Sequence, residues 1–108
     1  MSDDLVYVKK HTSGGEVVLA ICDYSLLGKK IVDREKNITL YIDPNFYKGE
    51  VMSIKQALEL LKKATNANLI GNNIVEAAIR EGYVLREAVI EVGGVLHAQL
   101  MVVEAERF

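Results

Sequence analysis

The sequence predicts an α+β fold: a mostly antiparallel sheet of five or six strands with two consecutive helices on one face, built as a single domain over residues 1–108. Three patterns predict it. A β-rich stretch near the start is cut by Gly14-Gly15, a stretch of helical period runs from Ile54 to Ala64, and a second β-rich stretch near the end is cut by Gly93-Gly94. Half of the residues are hydrophobic and 26% are charged, which excludes a disordered polar tail and supplies an ordinary core.

The first part is a hairpin. Residues 5–11 open a strand, Thr12-Ser13-Gly14-Gly15 turns the chain through a loop of three or four residues, and residues 16–22 return. Val17 to Cys22 is apolar on both faces, which places this strand inside the sheet rather than at its edge. Residues 23–28 form a single capped turn, with Asp23 as N-cap and Gly28 as the stop. Two short strands follow over 29–33 and 37–42, joined by a charged turn. In the second, Ile38, Leu40 and Ile42 alternate with Thr39 and Tyr41, the pattern of a half-buried strand.

The helices come next. Asp43-Pro44-Asn45 ends the strand, and residues 46–49 read as a loop. Ser53 and Gln56 match a capping box, and Ile54, Ala57, Leu58, Leu61 and Ala64 fall on one face of a helix ending near Lys62-Lys63. A second helix covers 72–81, with Ile74, Val75, Ala78 and Ile79 inward and Gly82 as its stop. The link at 65–71 is short, so the helices pack as neighbours.

The last part is a hairpin again, with strands over 88–92 and 95–104. A two-residue Gly-Gly loop pairs Val92 with Val95 and sets Ile90 opposite His97. Alternation then gives one face to Val95, His97, Gln99 and Met101 and the other to Leu96, Ala98, Leu100 and Val102. His97 and Gln99 therefore interrupt an otherwise apolar face.

Two phrases are distinctive: Ala67-Asn68-Leu69-Ile70-Gly71 and Gly93-Gly94-Val95-Leu96-His97-Ala98-Gln99. With Val6-Tyr7-Val8-Lys9 and the run from Ser13 through Asp23 to Leu27-Gly28-Lys29, they resemble the archaeal domain-of-unknown-function family 424. The resemblance extends from about Leu5 to Val103, and this chain carries Leu96 where that family often has proline. It implies the fold boundaries and a cytoplasmic setting. It implies no activity.

Composition bounds the chemistry. Thirteen Lys and Arg against fifteen Asp and Glu leave a net charge of −2, which disfavours binding nucleic acid by bulk charge and requires any such role to use a local basic face. One cysteine forms no internal disulfide and needs no oxidising compartment. His11, His97 and Cys22 lack the close pairing of a metal site, so no metal or cofactor is expected. Neither glycine pair precedes a helix or a Lys-Ser/Thr pair, so neither is a phosphate loop. Cys22 sits at a strand end before a capped turn, but the adjacent Asp23 opposes its ionisation. The acidic start and the absence of a long apolar run predict a soluble cytoplasmic protein without a membrane partner.

Two sets of residues remain as candidates. Lys9, Lys10, Lys29 and Lys30, interleaved with Tyr7, Tyr41 or Tyr47 and joined by Lys62-Lys63, make a basic face that contacts phosphates and offers rings to unpaired bases. Asn68, His97 and Gln99 make the second set, two phrases of polar residues beside glycine that meet only if the fold brings them together. The first set predicts a non-catalytic cytoplasmic module for RNA or a ribonucleoprotein partner. The alternatives are a small-molecule-binding protein or small enzyme around Asn68, His97 and Gln99, and a homodimer or assembly subunit that uses an apolar sheet edge or face, with the acidic C-terminal half meeting the basic first half of a neighbour.

Overall fold

Gly14 and Gly15 take φ of 56° and 86°, so the first hairpin closes through these two residues alone rather than through a longer loop. The strands on either side are β1 (Leu5–Ser13) and β2 (Glu16–Asp23), paired from Val6–Asp23 to Ser13–Glu16. The computed structural model describes residues 4–101. The remaining elements are β3 (Lys30–Asp33), β4 (Ile38–Tyr41), α1 (Pro44–Tyr47), β5 (Glu50–Ser53), α2 (Ile54–Leu61), β6 (Asn66–Ile70), α3 (Asn72–Arg80), β7 (Ile90–Val92) and β8 (Val95–Met101). The expected continuation of β8 to Glu104 lies outside the described residues.

Six strands form one sheet in the order β5-β1-β2-β6-β8-β7, and β3 and β4 form a separate two-stranded ribbon. Only the β2–β6 pairing in the large sheet is parallel. The fold is α+β, as expected, and β2 is an interior strand.

The link expected between the helices is the strand β6. Two asparagines in five residues are poor strand formers, which hides it in the sequence. Tertiary context makes it: β2 and β8 supply hydrogen bonds on both sides, and Ala67, Leu69 and Ile70 are almost wholly buried. The Thr65 hydroxyl fixes its start, accepting from Val17 N and donating to Val17 O, both at 2.9 Å. The helices α2 and α3 still share one face of the sheet. Ala57, Leu58 and Leu61 from α2 and Ile74, Val75, Ala77 and Ala78 from α3 pack on Val6, Val8, Leu19, Ile21, Ala67, Leu69 and Ala98.

Residues 44–47, expected as part of a loop, are the one-turn helix α1. Asp43 caps it by accepting from Asn45 N at 2.9 Å, and Pro44 occupies its first position, where a missing N–H costs nothing. The edge strand β5 was likewise not expected, because four residues that follow Gly49 and end on the helix cap Ser53 show no period of their own. The capping box at α2 is formed on both sides: Gln56 N donates to Ser53 Oγ and Ser53 N to Gln56 Oε1, each at 3.1 Å. Residues 24–26 make the expected short turn, but Asp23 does not cap it. Its carboxylate accepts from Asn73 N at 2.9 Å and Ile74 N at 3.0 Å, capping α3 from across the sheet.

The opposite face of the sheet is half covered. Ala20, Cys22 and Ile70 are sealed there by Ile42, Tyr47, Leu26, Leu27, Ile31 and Leu40, which come from α1, the ribbon and its flanks. On β1 the same face is covered by Tyr24 and Phe46, which stack on Tyr7 and His11, while the part around Asn68 and Gln99 is open.

Candidate functional site

On the open half of the sheet, alternation along β6 and β8 sends Asn68, His97 and Gln99 to the same side, away from the helices. Asn68 stands directly opposite Gln99, and Gln99 Nε2 donates to Asn68 Oδ1 at 2.8 Å. His97 lies two pairs along, between Ile70 and Ile90. The three residues separated in sequence are thus brought onto one surface. An open depression of about 420 Å³ is lined there by Val18, Asn66, Asn68, Gln99 and Met101, with His97 outside its lining. Burial holds the His97 imidazole below its ordinary value, so the ring is neutral at pH 7. Its nitrogens make no hydrogen bond among the described residues.

The β3–β4 ribbon is seated beside this surface. Ile31 and Leu40 point inward against the sheet, so alternation turns Lys30 and Val32 of β3 and Thr39 and Tyr41 of β4 outward. Lys30 is paired directly with Tyr41 and Val32 with Thr39. Tyr41 and Val32 are each 52% exposed, and Lys29 is exposed at the residue before β3. The ribbon is tied to the β7–β8 turn through Asp33, whose carboxylate accepts from Gly93 N and Lys36 N, both at 3.0 Å. Those two N–H groups hold the Asp33 carboxyl below the usual carboxylate range. Lys36 also donates through Nζ to Glu91 O, which commits it to the seat rather than to a ligand.

The four candidate lysines divide. Lys29 and Lys30 are exposed on the ribbon. Lys9 faces the same side of the large sheet as Tyr7 and His11, and its ammonium donates to Asn45 O at 2.8 Å. Lys10, its neighbour on a strand, faces the helices instead and lies beside Leu19 and Lys63. Of the three tyrosines, Tyr47 is buried and Tyr7 stacks on Tyr24 with centroids 5.0 Å apart, which leaves Tyr41 as the ring presented outward beside a lysine. Val32 and Thr39 were missed as members of this surface. The pairing of 30 with 41 would have located them.

Cys22 and Asp23 are used by the fold. Cys22 is fully buried, and burial first and the Asp23 charge second push its thiol up to about 12. Iodoacetamide at pH 8 is therefore expected to leave folded protein unmodified and to alkylate Cys22 only along the urea unfolding transition. Stoichiometric labelling without denaturant would contradict that burial. No group of three or more His, Cys, Asp or Glu side chains arranged to hold a metal ion occurs among the described residues. No helix among them is long and apolar enough to cross a membrane.

The model of a family described as "Protein of unknown function (DUF424)" matches residues 11–103. The crystal structure of an uncharacterized conserved protein from Methanopyrus kandleri is similar to this chain, with a TM-score of 0.78 and 29% identity over 96% of each. No curated protein matches it.

Proposed function

The chain belongs to the DUF424 family of proteins of unknown function, and for this member we propose a non-catalytic, cytoplasmic binding module that takes single-stranded RNA, free or within a ribonucleoprotein, on the outer side of the β3–β4 ribbon. One observation carries the proposal: Lys30 and Tyr41 are cross-strand partners, both exposed, and Lys29 is exposed at the residue before Lys30. Neither lysine is engaged in an ion pair within the described residues. A phosphate is held by the ammonium groups while the ring accepts a base, a combination that tolerates sequence and needs no bulk positive charge. The lone buried thiol is at home in a reducing compartment.

Tyr41→Ala is expected to weaken binding of a fluorescein-labelled twelve-nucleotide single-stranded RNA by about 1–3 kcal/mol, the range for one stacked base. Tyr41→Phe keeps the ring and is expected to retain affinity. Fluorescence anisotropy reads both. Equal affinity for wild type and Tyr41→Ala would remove the ring from the interface.

A second reading, a small-molecule site around Asn68, His97 and Gln99, is favoured by the juxtaposition of a neutral imidazole with the Asn68–Gln99 amide pair. Under that reading His97→Ala abolishes ligand-induced thermal shifts and leaves RNA affinity unaltered.

A further inference from the structure

The two sides of the molecule differ in chemistry. Helix α2 ends at Leu61, whereas β1 and β2 run on to their turn at Gly14-Gly15, so the helix-side face of this hairpin loses its cover part-way along. A groove of about 460 Å³ opens there, within the size range of small-ligand sites. Val8, Val17 and Leu19 form its floor, Met52 of β5 one wall and Leu60 at the end of α2 the other.

Its rim is charged. Lys10 is the cross-strand partner of Leu19 and stands at one end of the floor, and Lys63 follows the end of α2. Both are exposed, and neither forms an ion pair among the described residues. The third lysine at the groove, Lys9, directs its ammonium to Asn45 O on the other side of the sheet, so it contributes backbone only. Glu50 is the acid at the rim. Two ammonium groups against one carboxylate, over an apolar floor, complement a ligand with an anionic head and a hydrocarbon tail.

We propose that this groove binds a small anionic amphiphile, a medium-chain alkyl carboxylate, with its tail over Val8, Val17 and Leu19 and its head between Lys10 and Lys63. The tail removes apolar floor from water, and the head gives the two ammonium groups a carboxylate partner. The site is independent of the RNA surface, because Lys10 faces the helices and the ribbon covers the opposite side of the sheet.

The test uses the full chain with sodium decanoate below its micellar concentration and decanol as the neutral control, followed by methyl-resolved NMR. Decanoate is expected to give saturable shifts in the methyl groups of Val8, Val17, Leu19, Met52 and Leu60, and decanol to bind more weakly. Lys10→Glu with Lys63→Glu should lower decanoate affinity about tenfold, as reversal of two exposed charges predicts. Glu50→Gln should raise it. Should the double variant fail to fold, Lys10→Ala and Glu50→Gln carry the same comparison in opposite directions. Absence of saturable shifts at those methyls, equal affinity for decanol and decanoate, or affinity insensitive to the rim charges would overturn the proposal.

Discussion

Gly71→Ala is expected to lower stability by about 3–5 kcal/mol, enough to unfold a large share of a domain whose total is about 5–15 kcal/mol. Gly71 sits between β6 and α3 at φ 125°, where an L side chain is strained. An added Cβ would lie 2.3 Å from Asp23 Cγ and 2.4 Å from Asp23 Oδ2. The carboxylate cannot withdraw without cost, because it is buried and accepts the Asn73 and Ile74 N–H groups that α3 leaves unpaired. Clash, strain and a broken cap therefore add. Urea unfolding followed by circular dichroism measures the loss, with Gly28→Ala as the comparison. Gly28 has a φ of 82° and open space around its would-be Cβ, so it isolates the backbone cost, about 1 kcal/mol. Removing the carboxylate makes room for the methyl group, so Asp23→Ala with Gly71→Ala should cost less than the sum of the two single changes. Equal stability of the Gly71 and Gly28 variants would contradict the close approach.

Lys29→Glu with Lys30→Glu is expected to weaken single-stranded RNA binding by an order of magnitude or more while leaving the unfolding transition in place. Both side chains are exposed and neither supports a neighbour by an ion pair, so the fold has little to lose. Each phosphate contact releases counterions, and the slope of log K against log salt should flatten by roughly two for the pair of lysines. Lys10→Glu is the internal control. It lies on the other side of the sheet and should leave both affinity and slope unchanged. Filter binding at several salt concentrations reads all three. A uniform loss for Lys10→Glu and the ribbon pair would mean that binding follows overall charge rather than the ribbon.

Local signals made much of the fold legible. Gly93-Gly94 set the Val92–Val95 register, the Ser53–Gln56 spacing marked the start of α2, and Gly82 marked the end of α3. Elements made by distant partners were not. β6 is a strand because β2 and β8 hold it, and its own residues argue against one. Asp23 has the composition of a local cap, yet its carboxylate reaches Asn73, fifty residues away, a contact with no local sequence signature.

The site was legible in the same measure. The face shared by His97 and Gln99 followed from period two in β8, but the Asn68–Gln99 bond depended on β6. Period two also separates Lys9 from Lys10, so adjacent lysines on a strand cannot serve one face. The pairing of Lys30 with Tyr41 required only the hairpin of β3 and β4, and it became specific once Ile31 and Leu40 were seen to turn inward.

The ribbon as an RNA-binding surface is most directly tested by amide and methyl NMR of the full chain during titration with a twelve-nucleotide single-stranded RNA at low salt. Shifts that saturate together at Lys29, Lys30, Val32, Thr39 and Tyr41, with α2 and α3 unmoved, are the expected result. An unchanged spectrum at millimolar RNA, or shifts centred on Asn68 and His97 with the ribbon silent, would contradict it.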